Sequence, residues 1–260
     1  MTRVLSGAVL VVLAVAVVWF APSYLFIAAA LLLEIAAFWE YMQIAAAHDT
    51  PVPGAVGAAT LFTTMGLVPS ASISLDVILI SMVIAVGVLA LPAWRGQRDA
   101  LPRAGASLLP ILYIGLPIGT LIAIRELHGA RGLFLLMLTV MVSDSAQYYS
   151  GRLFGKRPLA PAISPKKTIE GAIGGFVFGT ALMAVLGAWW LPEVPLVLRI
   201  ALGAAVVALG IAGDLFESML KRSAGVKDSG GLIPGHGGVL DRIDALLFAA
   251  PIYYVVLKYV

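Results

Sequence analysis

Apolar residues run along this chain in long blocks separated by short polar stretches. A helix that crosses ~30 Å of hydrocarbon needs about 20 apolar residues. That length picks out stretches at 4–20, 23–47, 54–70, 72–92, 105–124, 131–150, 169–190, 196–218 and 239–258. The pattern predicts an all-α polytopic integral membrane protein of about nine transmembrane helices. Trp19-Phe20-Ala21-Pro22 offers no small-x-small cleavage pattern and a second apolar run begins at once, so the first block is expected to stay as a span.

Composition leads to the same class. Of 260 residues, 61% are hydrophobic and 12% charged, a balance a soluble single-core domain would not tolerate. With no cysteine, the chain has no disulfide, thiolate nucleophile or cysteine metal cage. The net charge of +3 matters less than its distribution. With odd spans running outward, Arg3, Arg95, Arg98, Arg103, Arg152, Lys156, Arg157, Lys166, Lys167, Lys221, Arg222, Lys227 and Arg242 fall on one face. Arg125, Arg131, Arg199 and Lys258 fall on the other. Positive loops mark the cytoplasm, so the amino terminus is expected inside and the carboxyl terminus outside.

No internal repeat suggests the paired halves of a transporter. One integral domain over 1–260 is expected, with apolar spans in 1–135 and the chemistry in 136–260. In the first hundred residues Glu34, Glu40 and Asp76 are the charges in or beside apolar runs. Such carboxylates are functional candidates, although Glu40 and Asp76, near span ends, are expected to reach the interface.

Three later stretches are more informative. At helical spacing Asp144, Gln147, Tyr148 and Gly151 share a face near a membrane exit, as ligands or as a buried helix contact. Gly151 to Lys156 is not a phosphate-binding loop: its glycines are too close, and Arg157 stands where Ser or Thr is needed. In the second stretch, Ser164 is expected to cap a helix and Pro165 to occupy its first turn. Lys166 and Lys167 there would form an anion site or simply obey the positive-inside rule. Gly171, Gly175 and Gly179 make a small-residue stripe for helix packing.

The third stretch, from Ser218 to Asp244, crowds Lys221, Arg222, Lys227, Asp228, His236, Asp241, Arg242 and Asp244 among six glycines at 225, 230, 231, 235, 237 and 238. Asp214, Glu217, Ser218 and Lys221 line one helix face, and Asp241 and Asp244 share another. Hard oxygen ligands of this kind suit Mg²⁺, completed by substrate phosphates and water. Glycine backbone can press its amides against phosphate. Mutual neutralisation of surface charges would explain the charges but not the six glycines.

Ser218 to Arg222, Lys227-Asp228 and Pro234 to Asp244 together resemble the signature of the phosphatidate cytidylyltransferases, or CDP-diacylglycerol synthases. The resemblance extends to Gly151–Lys156, Ser164–Gly171 and Gly213-Asp214, and so covers roughly 140–260. Gln147 departs from it, where the family commonly has alanine. The resemblance implies that CTP and phosphatidate give CDP-diacylglycerol and pyrophosphate. It implies Asp214 and Asp241 as metal ligands, with Asp144 and Asp244 as further candidates. Asp214, Lys221, Asp241 and His236 form the implied catalytic set. Substrate contacts fall on Ser164, Lys166, Lys167, Ser218, Arg222, Lys227, Asp228, Gly237, Gly238 and Arg242. His236 would donate to pyrophosphate or nucleotide, or order the loop.

Phosphatidate is largely ionised at pH 7 and needs no strong base, so the difficulty is bringing two anions together. The acyl chains would lie in the bilayer while CTP enters a cytoplasm-facing polar cavity in the C-terminal half. CTP, phosphatidate and membrane lipid are the expected partners, and nucleic acid is not one. A bacterial inner membrane is the expected location. A cytidylyltransferase acting on a prenyl-type phospholipid would need the same polar centre. A transporter would instead carry polar residues at mid-membrane in several spans. Mg²⁺ is the expected cofactor, with a second metal ion and a homodimer as further expectations.

Overall fold

The computed structural model describes residues 2–69, 75–90, 100–232 and 237–260. Helices are α1 (Thr2–Phe20), α2 (Ser23–Ala47), α3 (Ala55–Gly66), α4 (Leu75–Ala90), α5 (Ala100–Pro110), α6 (Leu116–Phe154), α7 (Ile169–Trp190), α8 (Leu196–Ser223) and α9 (Leu240–Lys258). Among the described residues four helical runs are long and apolar enough to cross a membrane: Ser23–Ala47, Ala100–Phe154, Ile169–Trp190 and Leu196–Ser223. The chain is thus an integral membrane protein built mainly of helices.

The second of these runs joins two expected spans, 105–124 and 131–150, into one stretch. A π-helical turn, Ile111–Gly115, links α5 to α6 directly after Pro110. Proline has no N–H for the ladder, and a π turn absorbs the defect without ending the helix. The break between the two expected spans survives as a bend at Gly129, with φ 69° and ψ −175°. Only glycine adopts that left-handed, extended pairing without a steric cost.

The mainly helical architecture agrees with the all-α expectation, and one short hairpin accompanies the helices. β1 (Pro158–Ala160) and β2 (Ser164–Thr168) form an antiparallel hairpin after α6, pairing Pro158 with Thr168 and Ala160 with Ser164. Ser164 therefore caps no helix. Thr168 does so instead, its extended backbone (φ −122°, ψ 154°) ending β2 while its hydroxyl accepts from Gly171 N at 3.1 Å. A hydroxyl at that place meets an amide that the first helical turn leaves without a partner.

The chain forms two compact units. The first comprises Met1–Leu127 with Ser223–Arg242, and the second His128–Arg222 with Ile243–Val260. Within the first, Tyr41 Oη donates to Ala106 O at 2.8 Å and Thr64 Oγ1 donates to Gly115 O at 2.8 Å, joining α2 to α5 and α3 to the π turn. Arg125 Nε donates to Val18 O at 2.7 Å and its guanidinium lies over the Phe26 ring. Glu34 is buried beside Thr60 and Thr64.

The second unit packs through glycines. A Cβ at Gly175 would meet Ser143 Oγ and the Gln147 side chain, and one at Gly179 would meet Val207 and Ser143, so α7 lies close against α6 and α8. Gly213 brings α8 against the Asp244 carbonyl and Phe248 of α9. The buried Tyr253 donates from its hydroxyl to Gly132 O at 2.9 Å. Close helix approach through small residues is what the Gly171, Gly175 and Gly179 stripe predicts.

Candidate active site

The expected polar residues fall into two clusters, one in each unit. In the first unit α8 ends at Ser223, and Gly225, at φ 71°, turns the chain into the glycine-rich loop. Lys227, Asp228 and Arg242 are exposed. Ser229 is buried, and its N and Oγ lie 3.1 and 3.0 Å from Asp241 Oδ2. The same oxygen accepts from Gly238 N at 2.9 Å, three residues earlier in the chain. Gly237 has φ 77°, and a Cβ there would lie 2.8 Å from Asp241 Oδ2. Glycine at 237 is thus required both by backbone conformation and by the carboxylate against it. His236, with Pro234 and Gly235, lies outside the described residues, as do Arg95 and Arg98.

Glu40 corrects the expectation that it reaches the membrane interface. It is fully buried on α2 and accepts from Ser229 Oγ at 2.9 Å, Val239 N at 2.9 Å and Leu240 N at 2.8 Å. A carboxylate is costly to bury unless hydrogen bonds replace its water, and here the loop supplies them. Composition hid this partner. The signal available in the sequence was a carboxylate standing within an apolar run.

In the second unit Asp144 comes from α6, Lys167 from β2, Asp214 and Ser218 from α8, and Asp244 from α9. Lys167 forms an ion pair with Asp214. The strand explains the choice between the two lysines. Successive strand side chains point to opposite faces, so Lys167 is half-buried toward α8 while Lys166 is exposed. Ser218 Oγ donates to Asp214 Oδ1 at 3.4 Å, one turn away on α8. Gln147 Nε2 donates to Asp144 Oδ1 at 3.0 Å, which satisfies the expected face, while Tyr148 is exposed.

Asp144 interacts electrostatically with Asp214 and Lys167, and Asp244 with both Asp214 and Asp144. Three aspartates from three helices therefore share one field, with Lys167 as an opposing charge. Asp244 Oδ1 also accepts from Ala245 N at 2.8 Å, with Glu217 beside the same carboxyl. Among the described residues no three His, Cys, Asp or Glu side chains close into a metal-holding group. Mg²⁺ does not require one, since it commonly takes one or two carboxylates and completes its shell with phosphates and water. The mutual repulsion of these carboxylates fits such a cation.

On the face that Asp214, Glu217, Ser218 and Lys221 were expected to share, Lys221 pairs with Glu217. It is buried and lies 2.9 Å from Glu217 Oε2, one turn back on α8. Arg222 is exposed. Glu170, at the start of α7, accepts from Lys156 N at 3.0 Å, Arg157 N at 3.2 Å and Arg157 Nε at 3.0 Å. It ties the exit of α6 to the first turn of α7 across the base of the hairpin that carries Lys167, a link that spacing does not reveal because the partners are thirteen and fourteen residues apart.

Comparisons with known proteins bear on this arrangement. The chain matches the model of the Cytidylyltransferase family over residues 1–260. It is 48% identical over 130 residues to the phosphatidate cytidylyltransferase of Haemophilus influenzae, covering 47% of this chain and 45% of that protein. It is 38% identical over 157 residues to the Bacillus subtilis protein of the same name, covering 60% and 58%. With that of Brucella suis it shares 34% identity over 230 residues, 85% of this chain and 80% of the relative. Against the first two relatives the match spans about half of their length. By the match along its whole length, this chain belongs to the Cytidylyltransferase family.

Proposed function

We propose that this protein transfers the cytidylyl group of CTP to phosphatidate, giving CDP-diacylglycerol and pyrophosphate. The observation that carries the reading is the match to the Cytidylyltransferase family over residues 1–260, and Lys167, Asp214, Asp144 and Asp244 supply a charged centre for its chemistry. In the reaction a phosphate oxygen of phosphatidate attacks the α-phosphorus of CTP. The new P–O bond forms as the bond to the β-phosphate oxygen breaks, and the electron pair leaves on pyrophosphate. Both reactants are anions, so positioning and charge neutralisation supply most of the rate enhancement.

Asp214, with Asp144 and Asp244, would hold Mg²⁺, which when bound neutralises charge on the nucleotide phosphates. Lys167 holds Asp214 in place and adds a positive charge to the same field. The exposed Lys227, Arg222 and Arg242 are suited to phosphate contacts, and the amides around Gly237 and Gly238 to close approach. Asp241 is assigned to the loop, because its Oδ2 already receives the Ser229 and Gly238 amides.

The relatives' printed names support the substrate pair. The reading includes about nine crossings of a bacterial inner membrane, with the amino terminus inside, the carboxyl terminus outside and the polar cavity facing the cytoplasm. Purified protein in detergent with CTP, phosphatidate and Mg²⁺ is expected to form CDP-diacylglycerol and pyrophosphate in equal amounts. Pyrophosphate release that ignores phosphatidate, or none at all, would refute the assignment. Labels placed near Gly230 are expected to react only from the cytoplasmic side; reaction from the outside would reverse the orientation.

A further inference from the structure

The loop that bears Gly237 and Gly238 is anchored by a side chain from the distant N-terminal part of the chain. Glu40 Oε1 accepts from Val239 N, and Oε2 accepts from Leu240 N and Ser229 Oγ. Val239 and Leu240 stand where α9 opens, and the first amides of a helix have no partner within it. A cap normally comes from the adjoining residue. Here a carboxylate on α2 provides it, and a negative charge is also favoured at that end of the helix dipole.

The backbone is shaped around this carboxylate. A Cβ at Gly230 would come 2.7 Å from Glu40 Oε1, and one at Gly238 would overlap both Ser229 Oγ and Glu40 Oε2. Ser229 has a single hydroxyl hydrogen, yet its oxygen lies 2.9 Å from Glu40 and 3.0 Å from Asp241. With its hydroxyl donated to Glu40, Ser229 still reaches Asp241 through its own amide at 3.1 Å, so one loop residue links the two carboxylates. Gly230, Gly238 and Ser229 are the chain's means of bringing the backbone that close.

We propose that Glu40 is a positioning residue for the glycine-rich loop, holding its backbone and the start of α9 in the conformation that receives the nucleotide phosphates. The kinetic part rests on the cytidylyl-transfer reading; the anchoring part does not. Glu40 acts through the loop, so its loss lowers the fraction of loops ready to bind, which weakens apparent affinity in proportion.

The test uses the full chain in detergent with Glu40→Gln, which keeps the shape but turns an amide NH₂ toward donors that need an acceptor. Amide hydrogen exchange in a peptide covering 229–243 is expected to quicken about tenfold, with α7 peptides unchanged as a measure of the intact fold. The KM for CTP is expected to rise about tenfold, with a smaller change in kcat. Ser229→Ala, which removes one of the three donors, is expected to move both readouts in the same direction by less. Parent exchange and parent KM in Glu40→Gln would overturn the proposal. Faster loop exchange in a protein whose parent forms no CDP-diacylglycerol would uphold the anchor and remove the assigned reaction instead. Should Glu40→Gln fail to fold, Ser229→Ala decides by the same measurements, and no change in either overturns the proposal.

Discussion

Glu40 and Asp241 are each met by several loop donors, whereas Asp144, Asp214 and Asp244, each with a donor of its own, also act on one another as like charges. In the first pair, two buried or half-buried carboxylates accept backbone amides at 2.8 to 3.1 Å and are linked through Ser229. In the second group, Lys167 pairs with Asp214 while the aspartates still act on each other as like charges. Acceptors met by fixed donors hold backbone in place. Carboxylates brought near each other favour a cation from outside, because like charges in a shared site oppose ionisation of the group as a whole. Carboxylates thus do architectural work in one unit and, under the proposed function, serve the chemistry in the other.

The comparison breaks most directly at Asp214. Asp214→Asn keeps the size of the side chain but removes the charge that pairs with Lys167 and would hold Mg²⁺. Catalytic efficiency is expected to fall about 1,000-fold, roughly 4 kcal/mol of transition-state stabilisation, in a protein that still inserts and folds. CDP-diacylglycerol formation across a Mg²⁺ titration measures it. Near-parent activity at ordinary Mg²⁺ would place Asp214 with the architectural carboxylates and leave the second cluster without its centre.

Helices were legible in the sequence because apolar block length is a direct measure of what a bilayer requires; α2 occupies the expected 23–47 and α7 the expected 169–190. The packing role of Gly175 and Gly179 was legible for a similar reason, since spacing by four puts small residues on one helix face. The hairpin was not, because Ser164-Pro165 is an equally good helix opening until Pro158 pairs with Thr168. In the site, Asp144 and Gln147 meet as helical spacing requires, and so do Asp214 and Ser218. Lys221 meets Glu217, a member of the same helix face four residues back, and spacing alone does not decide between Glu217 and Ser218. Glu40 was beyond reach for a different reason: its partners lie 189 to 200 residues away, and no local pattern encodes such a contact.

Lys221 sharpens the boundary between holding and chemistry. Its ammonium is buried against Glu217, whose side chain is 1% exposed, while Arg222 next to it is open to solvent. Lys221→Ala removes one partner of a buried pair, the case in which the remaining charge is costly, and is expected to lower Tm as well as activity. Its loss in catalytic efficiency is expected to exceed that of Arg222→Ala at least about tenfold, or ~1.4 kcal/mol. Steady-state kinetics on both variants, with thermal unfolding of each, makes the comparison. Glu217 stands beside Asp244, so the double variant Glu217→Gln, Lys221→Met is expected to recover both Tm and efficiency. Recovered Tm with efficiency still low would overturn the architectural assignment and give Lys221 a direct part in the chemistry.

Thr168 carries the smallest expected effect and tests how the hairpin delivers Lys167. Its hydroxyl caps α7 through Gly171 N, and its side chain also lies where a Cβ at Gly151 or Gly155 would fall. Thr168→Ala removes the cap and leaves the strand pairing and the Glu170 links to Lys156 and Arg157 in place. The expected loss is about 1 kcal/mol of stability, the usual value of an N-cap, or a Tm shift of about 2–4 °C for a chain of this size. Thr168→Ser keeps the acceptor and should lose less. Since Lys167 is adjacent but held by Asp214 on α8, catalytic efficiency is expected to fall less than about threefold, under ~1 kcal/mol. A much larger kinetic loss without a matching fall in Tm would mean that the helix cap, and not the Asp214 pair, fixes where the Lys167 ammonium sits.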